Sequence, residues 1–153
     1  MTEKELIRKT EQKLRLYNLM RLNIENLKDD IQKLEDEKER TSGGIVYTHF
    51  GGGYHGDNFN LCRIEEKIEQ KRILKRQIKR EADAIDRALE SIKGSEYFFL
   101  IESYYLKCET IQAIIDRTYI SRATFFNQRN RLLKKIGYIL YPEIFAKLSL
   151  EYR

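Results

Sequence analysis

The chain has 153 residues, of which 35% are charged and 41% hydrophobic, with a net charge of +5 and a pI of about 9.1. That bounds it to one globular unit or two small ones with a modest core. A single proline among many Lys, Glu, Leu and Ile residues favours helix over sheet, and no apolar run approaches the length of a membrane span.

The positive excess is unevenly placed. Residues 1–40 hold ten basic and ten acidic residues, 60–92 hold nine and seven, and 93–153 hold ten and six. The excess therefore lies in the back half. The first residues, MTEKELIRKTEQKL, are charged throughout and lack the apolar segment of a secretory signal. Cys62 and Cys108 lie far apart, so the expectation is a cytoplasmic protein with reduced thiols.

Residues 2 to about 39 read as one long helix. Thr2 and Glu5 have capping-box spacing. Met20, Ile24, Leu27, Ile31 and Leu34 step by four and three, the spacing of a heptad seam. Extended backward, the seam meets Tyr17, Lys13, Thr10 and Leu6, which makes its first half weaker. The mixed charge of the other faces argues against a membrane-surface helix.

Residues 41–58, TSGGIVYTHFGGGYHGDN, form a break with six of the eight glycines. No Lys-Ser/Thr follows the glycines and no strand leads in, which argues against a phosphate loop. His49, His55, Asp57 and Cys62 are metal-ligand types, but their spacing matches no finger pattern. A connector is the simplest reading.

Helix resumes over residues 59–92. Leu61, Ile64 and Ile68 start one seam, and Leu74, Ile78, Ala82, Ile85, Leu89 and Ile92 continue it in a shifted phase, as in a stutter near Lys71. Two long amphipathic helices joined by a connector pair either within one chain or between two. The run Lys71 to Arg80, KRILKRQIKR, has six basic residues and no acid; a phosphate contact and a solvated face both remain open for it.

After Gly94, Ser95 is placed to cap a helix through Leu106. Thr110 caps a short helix with Ile111, Ile114 and Ile115 facing inward. Residues 117–120 turn, and Ser121 caps a second helix. From Arg117 to Pro142 there is no Asp or Glu, while Arg117, Arg122, Arg129, Arg131, Lys134 and Lys135 are all positive. At 100° per residue, Phe125, Leu132 and Ile136 share a core face, with Arg129 snorkelling at its edge. Ala123, Thr124, Asn127, Gln128, Arg131, Lys134 and Lys135 lie on the opposite arc. Asn and Gln pair with adenine edges and Arg with guanine edges in the major groove. Peripheral cations fix register on phosphates. The candidate DNA-binding residues are therefore Arg117, Ser121, Arg122, Thr124, Asn127, Gln128, Arg131, Lys134 and Lys135. Pro142 suits the first turn of a last helix, whose apolar residues are expected to pack on this module, a dimer face being the alternative.

The segment IIDRTYISRATFFNQRNRLLKKIG resembles the C-terminal module of the ArpU/RinA-type phage transcriptional regulators, which end in a sigma-factor region-four-like helix-turn-helix. Ile120-Ser121-Arg122-Ala123-Thr124-Phe125-Phe126 and the basic helix after it carry the likeness, and the layout of charged helix, Gly-rich break, second long helix and DNA-binding end is similar. Two positions depart from the pattern. Ala113-Ile114-Ile115 stands where Glu-Ile-Ala is usual, and Tyr119 where the turn often has Gly. The resemblance implies control of phage late genes for packaging and morphogenesis, in the cytoplasm of a bacterial host, by promoter binding and contact with RNA polymerase.

The expected fold is all-α, with two long coiled-coil-like helices over residues 1–92, a Gly-rich connector at 41–58, and a helix-turn-helix domain over 93–153. The expected function is sequence-specific binding of double-stranded DNA in transcriptional regulation. RNA polymerase and a second copy of the chain remain open as further partners. A small terminase-like packaging protein and a coiled-coil scaffold without nucleic acid are the alternatives. No cofactor or metal is expected. An enzyme is not, since the two histidines sit in the break and no nucleophile–base arrangement is evident.

Overall fold

The computed structural model describes the backbone of residues 1–45 and 54–151 and the side chains of residues 1–42 and 59–151. Among them are six α-helices and no strand: α1 (Glu3–Ile45), α2 (Tyr54–Ile92), α3 (Phe98–Ile101), α4 (Ile111–Thr118), α5 (Arg122–Leu140) and α6 (Pro142–Glu151). The all-α expectation is met. Both long helices extend further into the Gly-rich segment than its composition suggested. Residues 46–53, with His49, lie outside the described set, as do the side chains of His55 and Asp57. The phosphate-loop and metal questions raised there fall outside it too. No described helix is long and apolar enough to cross a membrane.

The chain forms two compact units, one of residues 20–80 and one of residues 1–19 with 81–153. The first is a helical arm whose two strands of helix pair within the chain. Ile31, Ile64 and Ile68 make a buried cluster with Leu34 against it. Lys71 pairs with Asp30 at 3.1 Å, Arg72 with Glu35, and Lys38 with Glu65 at 3.2 Å. Rising numbers on α1 meet falling numbers on α2, so the pairing is an antiparallel hairpin.

The seam of α2 in this arm keeps one phase. Leu61, Ile64, Ile68, Lys71, Lys75 and Ile78 are its buried or half-buried positions, while Leu74 is exposed. Their steps of three and four are an unbroken heptad, so the expected phase shift near Lys71 does not occur. Two lysines occupy seam positions instead. Their four-carbon stems can cover apolar surface while the ammonium reaches out, as Lys71 does toward Asp30. A polar residue in a seam costs stability and fixes register.

The second unit has the deeper core. Leu6, Thr10 and Leu14 of α1 are buried with Ala82, Ile85, Ala88, Leu89 and Ile92 of α2, and with residues of α3 and α5. Of the first half of the α1 seam, Leu6 and Thr10 are buried and Lys13 and Tyr17 half-buried, and the buried Leu14 lies off its steps; Thr10 satisfies its hydroxyl on the Leu6 carbonyl at 2.8 Å. The capping box forms as expected, with Glu5 N–H donating to Thr2 Oγ1 at 3.3 Å and Thr2 N–H to Glu5 Oε2 at 3.0 Å.

Ser95 does not cap α3. It sits in a turn, its carbonyl accepting from Phe98 N–H at 3.1 Å, and the N-cap position falls to Tyr97 with no side-chain bond. α3 then widens into a π-helical turn over Glu102–Leu106, closed by Lys107 N–H on the Glu102 carbonyl at 2.9 Å. Within that turn Ser103 and Tyr105 are buried.

Candidate nucleic-acid interface

Two side-chain caps and one left-handed residue define α4, the turn and α5. Thr110 accepts the Ala113 N–H at 3.2 Å and starts α4. Tyr119 ends it at φ 59°, ψ 26°, its N–H on the Ile115 carbonyl. Ser121 then accepts the Thr124 N–H at 3.0 Å and starts α5. The caps fall on the two residues whose spacing called for them. The turn takes the conformation that glycine prefers, with a tyrosine in it.

The inner faces meet in a cluster of Leu100, Ile114 and Phe125, all 0–1% exposed, edged by Tyr97, Phe99, Tyr104, Ile111, Ile120 and Phe126. Phe125, Leu132 and Ile136 are buried as the helical spacing required, and Leu133 is buried with them. Tyr104 and Phe126 each meet the Phe125 ring edge-on, at centroid distances of 5.7 and 5.4 Å.

α1 braces the back of α5. Gly137 lies so close to α1 that a Cβ there would stand 2.7 Å from Thr10 Oγ1 and 2.8 Å from Leu6 Cγ. Glu11 gathers three partners: Tyr105 donates to it at 2.9 Å, Arg15 at 3.0 Å, and Arg129 stands 3.8 Å away. Burial alone would raise the Glu11 pKa, but the bonds from Tyr105 and Arg15 outweigh it and hold the carboxyl below its ordinary value. Burial, then the bond to Glu11, push the Tyr105 hydroxyl far above its own. Arg129 also lies over the Phe126 ring at 4.9 Å and its side chain is 17% exposed, so its guanidinium is held by these partners instead of snorkelling out to water as its position at the edge of the core face suggested. Glu11 and Tyr105 were not legible as site residues. They are 94 positions apart, and no local pattern marks either.

The nine candidate residues fall into three groups. Arg122, Asn127, Arg131 and Lys135 are exposed along α5, and among the described residues the three cations make no ion pair. Ser121 and Thr124 are used in the cap, the Ser121 hydroxyl also donating to Thr124 Oγ1 at 2.8 Å. The remaining three are not free at the surface of α5. Arg117 is tied to Glu109 at 2.8 Å and to Ser103 Oγ at 2.9 Å. Lys134 pairs with Glu3, which raises the pKa of its ammonium. Gln128 is half-buried, and its Oε1 is shut from solvent without a hydrogen-bond partner. Asn127, Arg131 and Lys135 form a free stripe narrower than the arc read from helical spacing, with no acid in it, while Arg122 stands on another side of the helix in its first turn.

Beside Arg122 an open groove of about 640 Å³ runs past Arg15, Tyr104, Cys108 and Thr110. Cys62 and Cys108 carry free thiols, and no cluster of three or more His, Cys, Asp or Glu that could hold a metal occurs among the described residues. The chain matches no family model, no curated protein and no solved structure.

Proposed function

We propose that the protein is a sequence-specific regulator of transcription that binds double-stranded DNA, with α4, the turn and α5 acting as a helix-turn-helix and α5 as its recognition helix. The observation that carries this is the stripe of Asn127, Arg131 and Lys135, with Arg122 exposed in the first turn of the same helix: it is free of acids and set on a capped helix whose opposite face is locked in a core. A reading helix needs a rigid back and a polar front that fits the major groove.

In this assignment Asn127 and Arg131 read bases, and Arg122 and Lys135 fix register on phosphates. Gln128 does not read in this conformation. An amide pairs with adenine through both its oxygen and its nitrogen, and the oxygen of Gln128 is closed off. Arg117 and Lys134 serve the fold through Glu109 and Glu3. The resemblance to ArpU/RinA-type regulators extends the proposal to phage late genes in a bacterial cytoplasm, with RNA polymerase as a further partner.

Selection of bound sequences from a random DNA pool tests it. A defined motif is expected from the full chain. Arg131→Ala should cost about 1–3 kcal/mol and relax one position of that motif, whereas Lys135→Ala should weaken all sequences alike and reduce the salt slope by about one. A pool that shows no enrichment overturns the proposal.

A further inference from the structure

The two flanks of the helical arm differ in charge. On one, the helices exchange ion pairs across the seam, Lys38 with Glu65 and Arg72 with Glu35. In heptad terms Glu37 and Lys67 stand on the other side of that seam. There the arm opens into a hollow of about 580 Å³ between Arg40 and Thr41 of α1 and Asn60, Arg63 and Lys67 of α2, with Glu37 at its edge. Arg40, Arg63 and Lys67 are all exposed, and none makes an ion pair among the described residues. Arg63 and Lys67 are one turn apart, where like charges repel, and Arg40 adds a third cation from the partner helix. One acid leaves the hollow with a surplus of positive charge. The basic run Lys71 to Arg80 is a weaker candidate for phosphate, because Lys71, Arg72 and Arg76 are tied to Asp30, Glu35 and Glu69.

An aromatic ring stands beside the hollow. Phe59 lies one turn before Arg63, is 62% exposed, and has the Arg63 guanidinium over its ring at 5.8 Å. It takes no part in the arm's apolar cluster. We propose that the hollow and this ring bind single-stranded nucleic acid, the cations holding phosphates and Phe59 stacking on an unpaired base. Phosphate accepts hydrogen bonds from several directions, which suits cations converging from two helices. A basic groove with an exposed ring is the combination that holds single strands without sequence preference. An acidic peptide or a free oligophosphate would satisfy the cations and leave the ring unused, and a duplex keeps its base faces covered. The site lies wholly within the arm, on residues separate from α5, and goes beyond the duplex reading proposed for that helix.

Fluorescence anisotropy of a labelled oligothymidylate of about 15 nucleotides, titrated with the full chain at several salt concentrations, is the test. Salt-sensitive binding is expected. Phe59→Ala should weaken it at least ~5-fold. Replacing Arg40, Arg63 and Lys67 together by Gln should reduce the salt slope by about two. The chain has no tryptophan, so Phe59→Trp reports on the ring directly: its fluorescence should be quenched by the strand and not by tripolyphosphate. All four side chains are exposed, and circular dichroism checks that each variant folds; if the triple replacement does not, Lys67→Gln alone decides, with a slope loss of about 0.7. Absence of salt-sensitive binding overturns the proposal, as does binding indifferent to Phe59→Ala and to the charge changes. Equal quenching of Phe59→Trp by tripolyphosphate, polyglutamate or a duplex of the same length overturns it too, since the ring would then not be choosing an unpaired base. Arg131→Ala should leave the quenching in place, and the triple replacement should leave the duplex motif selected by the chain unchanged, so the two readings fail separately.

Discussion

Ile68 in the helical arm and Phe125 in the C-terminal unit are both buried, at 5% and 0% exposure, yet they meet different amounts of protein. Ile68 faces one partner helix and belongs to a small cluster of three buried residues. Phe125 is enclosed by α3, α4 and two neighbouring aromatic rings. A two-helix seam can never surround a side chain, so its ion pairs stand near water, where each contributes little. The same pair of long helices thus builds a thin element in one unit and the wall of a packed core in the other. Stability should follow that division.

The largest expected effect tests it directly. Phe125→Ala removes a fully enclosed ring and should cost about 3–5 kcal/mol, whereas Ile68→Ala should fall near 2 kcal/mol, the low end for such truncations. Denaturant melts followed by circular dichroism measure both. Equal losses would mean that the arm is packed as deeply as the core. Amide exchange sharpens the contrast, with faster opening expected in residues 20–80 than around Phe125.

Next in size is Gly137→Val. The new Cβ alone would press on Thr10 and Leu6, both fully buried, and overpacking of this kind costs about 1–3 kcal/mol. A melt at or above that of the parent would show that α1 and α5 can move apart without penalty.

Glu11 gives a smaller effect with a pH signature. Its folded pKa lies below the ordinary value of 4.5. A depressed carboxylate pKa stabilises the fold above the unfolded pKa, and that contribution is lost as pH falls through the folded one. Glu11→Gln should therefore cost about 1 kcal/mol at pH 7, and the gap from the parent should close as pH drops below 4.5. A gap that persists at pH 3 would assign the loss to packing instead of charge.

Legibility in the sequence followed the range of the interaction. Caps at Thr2, Thr110 and Ser121, the core face of α5 and the heptad steps of α1 are local, and all were readable from spacing. The unbroken seam of α2 was not, because Lys71 and Lys75 occupy apolar positions and Leu74 offered a false alternative. Seam lysines are legible only once Asp30 is known to lie opposite. The narrowing of the α5 stripe was hidden for the same reason. Lys134 and Arg117 look free on a helical wheel, and their partners, Glu3 and Glu109, are set by tertiary packing. The carbonyl oxygen of Gln128 is likewise closed off by its surroundings in the fold.

Tyr119 is where the smallest effect is expected. It is 93% exposed, so its ring adds nothing to the core, and it holds φ at 59°. A left-handed backbone costs a residue with a Cβ about 1–2 kcal/mol. Glycine escapes that cost but loses more entropy on folding, by roughly 0.5–1 kcal/mol. Tyr119→Gly should thus stabilise the C-terminal unit by about 0.5 kcal/mol. Tyr119→Val, which is β-branched and a poor fit to this region, should destabilise it. The gain is small because the turn is already fixed from both sides, by its N–H on the Ile115 carbonyl and by the Ser121 cap. A clear loss of stability in Tyr119→Gly would show instead that the tyrosine ring holds the turn in place. Unchanged stability with weakened DNA binding would place the ring on the DNA side of the turn.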